Sequence, residues 1–197
     1  KYFDVRHAEG ITKAGQLAIR WIERDVNDYL NDLLKTKNVV YVVASDTDSI
    51  YVKLGAVVDK IFKDKSDTRK IVKVLDKFCE DKLQKIIDDS YDKLAKYVNA
   101  FDQKMFMKRE VIANKGIWTA KKRYILNVFN EEGLDLKEPK LKIMGIEAVK
   151  SSTPAPCRIK IKEALQVIMN KEESALIQFS DEFKKNIKKL RHAEITN

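Results

Sequence analysis

The chain has 197 residues, 44% of them hydrophobic and 35% charged, enough for one core or one core plus a small appendage. No apolar run reaches the roughly 18–20 residues of a membrane span, and the N-terminus shows no signal peptide. Two histidines and two cysteines in unrelated contexts argue against zinc and leave Cys79 and Cys157 as free thiols. The net charge is +9, and residues 104–162 hold 14 basic against 6 acidic residues. A positive stretch of this kind suits polyanions, as well as a plain lysine-rich surface.

Residues 11–34 follow the 3.6-residue period of an amphipathic helix, with Asp4 as a candidate N-cap. Two β-rich runs, 39–44 and 49–54, flank an acidic turn. Their near-continuous apolar character predicts strands in the middle of a helix-covered sheet. Residues 57–99 form a helical block interrupted near 63–68. Residues 105–129 predict two strands joined near 114–116, with Glu131-Glu132-Gly133 as a turn and 139–149 as another strand. The segment 150–156 is a proline break, followed by helices over 159–169 and 174–190. The order fits an α+β fold, an antiparallel sheet with helices on one face, with the domain boundary at the proline break. The chain begins at Lys1 rather than Met and stops without a clear closing element, so a piece of something larger is expected.

The acidic turn is Asp46-Thr47-Asp48-Ser49. Residues two apart on extended backbone share a side, and Mg²⁺ is held by one or two carboxylates plus substrate phosphates. Asp, Thr and Ser also favour turns for their own sake. An EF-hand loop does not fit, since Tyr51 stands where its glycine belongs. Further on, Lys121-Lys122-Arg123-Tyr124 read as a strand puts Lys122 and Tyr124 on one face and Lys121 and Arg123 on the other. Such a strand suits a nucleic-acid backbone, and a solvated edge looks the same. Lys150-Ser151-Ser152-Thr153 at a helix entry offers phosphate contacts, or serves as a linker. Glu110, on a predicted strand, could reach a metal or pair with a neighbouring basic residue. There is no glycine-rich phosphate loop and no nucleophile–histidine arrangement.

Taken in order, these three motifs resemble the family B DNA polymerases, with the likeness closest to the replicative polymerases of large tailed phages. Ile11-Thr12 with residues 16–24 is similar to the palm helix before the catalytic hairpin. Residues 105–110 and 139–147 are similar to later palm strands. The resemblance implies that 1–150 is the C-terminal part of a palm and 151–197 the beginning of a thumb. It implies two Mg²⁺ ions with Asp48 as the main ligand, Asp46 as its companion, and Glu110 near the metals. It further implies DNA contacts from Lys121, Lys122, Arg123 and Tyr124 and from Lys150, Ser151, Ser152 and Thr153.

Three departures stand out. Ala44-Ser45 occupy the place of the family's Tyr-Gly, and Lys108 stands where relatives carry Asp. The family's other metal-binding Asp and its nucleotide-gripping helix lie upstream of Lys1. The implied partners are primer-template DNA, dNTP and that N-terminal portion, from the same gene or a split subunit. The implied setting is the cytoplasm of an infected bacterium, with no membrane partner. The chain alone is expected to be inactive. A non-catalytic duplex-binding module and a purely structural protein are the other classes consistent with the residues.

Overall fold

A computed structural model describes residues 4–187. They form two compact units, divided between Glu110 and Val111. The proline segment lies inside the second unit, where contacts continue across it. The fold is α+β, but its strands divide into one two-stranded and one three-stranded antiparallel sheet.

The first unit opens with α1, Val5–Leu34. The Asp4 carboxylate accepts from the Arg6 N–H at 2.9 Å and caps the helix, and Lys35 ends it in the left-handed conformation. Ala18, Ile22, Val26 and Leu30 recur every fourth residue and form its buried stripe. Residues 5–17 are all exposed, so Ile11 and Leu17, expected on that stripe, meet no core within this unit.

Strands β1 (Val42–Asp46) and β2 (Ser49–Val52) form the hairpin. It has no third strand among the described residues, which corrects the mid-sheet expectation. Much of the apolar run responsible for that expectation, Val39, Val40 and Val43, is solvent-exposed. The helical block follows as α2 (Gly55–Ile61), α3 (Thr68–Phe78), a π turn (Cys79–Leu83) and α4 (Gln84–Tyr97). The break between α2 and α3 falls where the charged 63–68 stretch predicts it. Helix α1 packs against α4 and the hairpin. Around Ile22, Val26, Leu30, Tyr41, Val42, Tyr91 and Leu94 lies the core. Ser90, almost fully buried on α4, donates to the Asp25 carboxylate of α1 at 2.6 Å, and Arg24 donates to the same carboxylate. Residues 101–110 form no strand. The Met107 carbonyl accepts from Gln84 at 2.8 Å, and Arg109 pairs with Asp76. These side-chain bonds tie the segment to the helices without a sheet ladder.

The second unit is β3 (Val111–Ala120), β4 (Arg123–Glu131) and β5 (Leu134–Met144), then a 3₁₀ turn (Glu147–Val149), α5 (Ala155–Asn170) and α6 (Glu173–Ile187). The last three positions of the helix expected over 174–190 lie outside the described residues. Strand β4 is central, and residues 124–128 are all buried. Ile117, Ile125 and Ile143 stand opposite one another on the three strands and pack with Leu165 and Met169 of α5. Pro139 lies on β5, an edge strand, where a missing N–H costs no ladder bond.

The β3–β4 turn is not at 114–116 as the glycine suggested, but at Lys121-Lys122, with Ala120 opposite Arg123. Gly116 serves packing instead. A Cβ there would lie 2.8 Å from the Trp118 ring and from Leu126. The indole covers the bare backbone across from Leu126, as aromatics do over strand glycines. Gly116→Val is expected to cost about 1–3 kcal/mol by overpacking, read as a lower denaturant midpoint.

Burial pushes the Cys79 thiol up to about 11, the nearby Arg109 charge offsetting part of that. Because the folded value lies above the unfolded one, this contribution to stability is complete at neutral pH and is lost as pH rises toward 11. In native protein a thiol reagent should label the half-buried Cys157 first, and Cys79 only with denaturant.

Candidate metal turn and basic hairpin tip

Asp46 is the last residue of β1, and Thr47-Asp48 is a two-residue connection to β2, with Asp46 paired to Ser49. Thr47 has φ 53°, and the Asp48 N–H donates to the Asp46 carbonyl at 2.6 Å. The turn thus closes over a single residue in the left-handed region. Asp46 and Asp48 are therefore not alternating strand residues, as simple two-residue periodicity assumed. They flank a reversal, with Asp46 half-buried and Asp48 exposed. The Thr47 hydroxyl donates to Asp46 Oδ1 at 3.0 Å, and the Ser49 hydroxyl donates to the Asp46 carbonyl at 3.1 Å. Beneath lies Tyr91 of α4, whose phenol is held above its ordinary value by burial and then by the Asp48 charge.

Two carboxylates at a tied turn fit a hard divalent cation, which takes one or two protein carboxylates and completes its shell with water and phosphate. No cluster of three or more His, Cys, Asp or Glu able to hold a metal occurs among the described residues. Glu110 is exposed and sits in irregular backbone just before β3, not on a strand.

Two residues missed in the sequence hold the backbone that enters β1. Asn27 Oδ1 accepts from the Tyr41 and Val42 N–H groups at 2.7 and 3.0 Å. Asn31 accepts from the Val39 N–H at 3.0 Å and donates to the Val39 carbonyl at 2.8 Å. Their signal was legible in retrospect: two asparagines four apart beside an apolar stripe, in a helix interior that disfavours them.

In the second unit the turn location changes the reading of Lys121-Lys122-Arg123-Tyr124. Lys121 and Lys122 form the exposed tip, and Lys122 has φ 60°. Lys122 is therefore not in strand alternation with Tyr124. Tyr124 is buried, opposite Trp118, their rings 6.4 Å apart. Arg123 donates to both Glu147 carboxylate oxygens, at 2.6 and 2.5 Å, and Lys150 Nζ lies 3.3 Å from the same carboxylate.

Glu147 therefore joins the two basic motifs that the sequence presented separately. Gly145 makes the approach possible. Its φ is +67°, and a Cβ there would stand 2.1 Å from the Lys122 carbonyl oxygen. Ser151 and Ser152 are exposed, and the Thr153 N–H closes a turn on the Lys150 carbonyl at 3.2 Å. The Glu147 carboxyl is held below its ordinary value by its own backbone N–H, then by Lys150 and the Arg123 charge.

The sequence is 43% identical over 182 residues to the DNA-directed DNA polymerase of Escherichia phage RB69, covering 88% of this chain and 20% of that protein. It is 36% identical over 207 residues to the DNA-directed DNA polymerase of Enterobacteria phage T4, covering 99% of this chain and 23% of that protein. The chain is thus similar to one segment of each of these two phage DNA-directed DNA polymerases. It spans about a fifth of the length of these curated relatives. No protein-family model matches it. No described helix of this polymerase-like segment is long and apolar enough to cross a membrane.

A depressed folded value means that the Glu147 pairing stabilises at neutral pH and is lost as pH falls through that value. The unfolding midpoints of wild type and Glu147→Gln should differ near neutrality and converge in acid. Gly145→Ala should unfold the second unit more easily by about 1–3 kcal/mol, because the clash is with backbone.

Proposed function

We propose that this chain is the C-terminal palm and the beginning of the thumb, residues 1–150 and 151–197, of a family B DNA polymerase that copies primer-template DNA from dNTPs. The observation that carries this reading is the 36–43% identity, spread over nearly the whole chain, to two DNA-directed DNA polymerases. The setting would be the cytoplasm of an infected bacterium.

Asp48 and Asp46 would hold Mg²⁺, with Glu110 as a neighbour of that site. Two Mg²⁺ ions, when bound, lower the pKa of the primer hydroxyl and stabilise charge on the dNTP phosphates during in-line displacement. The chain's part is to supply carboxylates at a turn whose backbone is closed by the Asp48 N–H and whose rim is tied by Thr47 and Ser49. Exposure of Asp48 leaves its oxygens accessible to a ligand.

At the second unit's tip, Lys121 and Lys122 present ammonium groups suited to the primer backbone. Tyr124, under Trp118, would act as a rigid wall behind them more than as an open hydrogen-bonding group. Arg123 would brace the tip through Glu147, while Lys150 with Ser151, Ser152 and Thr153 offers a second phosphate contact. The chain alone is expected to incorporate no dNTP, because the family's other metal-binding Asp and its nucleotide-gripping helix are not among these 197 residues.

The test is primer extension by the complete polymerase carrying this segment. Asp48→Ala should abolish extension, and extension at the wild-type rate would sink the reading. For the isolated chain, duplex affinity should fall steeply with salt, and Lys122→Ala should lower the log–log salt slope by about 1. Affinity indifferent to salt would favour a structural protein. Salt-dependent duplex binding by an enzyme whose Asp48→Ala variant is fully active would favour a non-catalytic DNA-binding module.

A further inference from the structure

We infer that Asn27 and Asn31 are positioning residues for the Asp46–Asp48 turn, acting through the backbone that enters β1. The inference rests on the polymerase reading of that turn.

A two-stranded hairpin is marginal by itself, and this one has no neighbouring strand among the described residues. Apolar packing of Tyr41, Val42, Ile50 and Val52 holds it to the helices, but packing alone does not fix a strand's direction. Asn27 and Asn31 supply that direction. One oxygen of Asn27 takes two successive N–H groups, fixing both peptide planes around Tyr41. The two donors also determine that the oxygen, not the nitrogen, of this amide faces the strand.

Asn31 grips Val39 through both its N–H and its carbonyl, and it also donates to the Asn27 carbonyl at 2.8 Å, linking the two grips. Thr36 donates to Asn31 at 2.9 Å and lies 2.8 Å from the Tyr41 hydroxyl. The chain between α1 and β1 is therefore pinned at four backbone atoms by two side chains of one helix. The pairing register of the hairpin shifts immediately after this grip, between Val42 and Ala44. Only three residues, about 13 Å of strand, separate Val42 from Asp46. Carboxylates that share a cation must be held within about 0.5 Å of their productive positions, and a small rotation at the grip displaces both.

Asn is a poor residue for a helix interior because its side chain competes for backbone partners. Here that tendency is directed at another element's backbone, while Ile22, Val26 and Leu30 alongside provide the packing.

The experiment compares wild type, Asn27→Ala, which removes the acceptor, Asn27→Asp, which keeps it, and Asp48→Ala. Hydrogen exchange on the 197-residue chain is the first readout. Asn27→Ala should speed exchange of the 41–52 amides about tenfold while α3 and α4 are unchanged, and Asn27→Asp should restore protection. The second readout is the Mg²⁺ dependence of primer extension by the complete polymerase. The half-saturating Mg²⁺ should rise about tenfold in Asn27→Ala and stay near wild type in Asn27→Asp.

Uniform loss of protection across the unit, an unchanged Mg²⁺ dependence, or an Asn27→Asp variant as impaired as Asn27→Ala would overturn the inference. If Asp48→Ala is inactive and Asn27→Ala has normal Mg²⁺ dependence, the polymerase reading stands and the positioning role falls. If Asp48→Ala is fully active, both fall.

Discussion

The hairpin with Asp46 and Asp48 gets its place from α1. Its own ladder is short, its apolar residues are partly exposed, and it has no neighbouring strand among the described residues. A site made of two acids repels itself, so something other than the acids must hold them near each other. Here the backbone closes the turn from within, and two asparagines grip its base from outside. Helix α1 is in turn held to α4 by the Ser90–Asp25 bond and the core around Ile22. The order of dependence therefore runs from helix packing, to strand direction, to carboxylate placement.

The second unit solves the opposite electrostatic problem. Clustered cations at a hairpin tip repel one another, and Glu147 lies where it relieves part of that repulsion. It does so by engaging Arg123 on one side and Lys150 on the other, leaving the lysines of the tip exposed. The close approach needs a residue without a side chain, and Gly145 supplies it. A basic surface suited to a polyanion is thus assembled around one acidic residue. Counting charge along the chain marks that acid only as a reduction of the positive total.

The α+β class, the long first helix and its Asp4 cap, the split in the second helical block and the Glu132-Gly133 turn were all legible in the sequence. They depend on local signals: periodicity, capping, charge runs and turn chemistry. The errors were also local in origin. Gly116 looked like a turn because glycine usually marks one, whereas its role is to lie beneath Trp118. Tyr124 looked accessible by alternation, yet it is on a central strand and covered. The mid-sheet reading of the hairpin counted valines without knowing that several face solvent.

The candidate metal residues and the basic motifs came from the sequence, because residue type and spacing carry that chemistry directly. Tertiary structure decided which of them meet: Arg123 and Lys150 on Glu147, and Asn27 and Asn31 on the entry to β1. Apart from the near neighbours Glu147 and Lys150, those contacts join residues 8 to 24 positions apart through the geometry of turns and helix faces. A one-dimensional pattern records which groups are present and at what period, but not which distant backbone atoms a side chain will reach once the chain has folded.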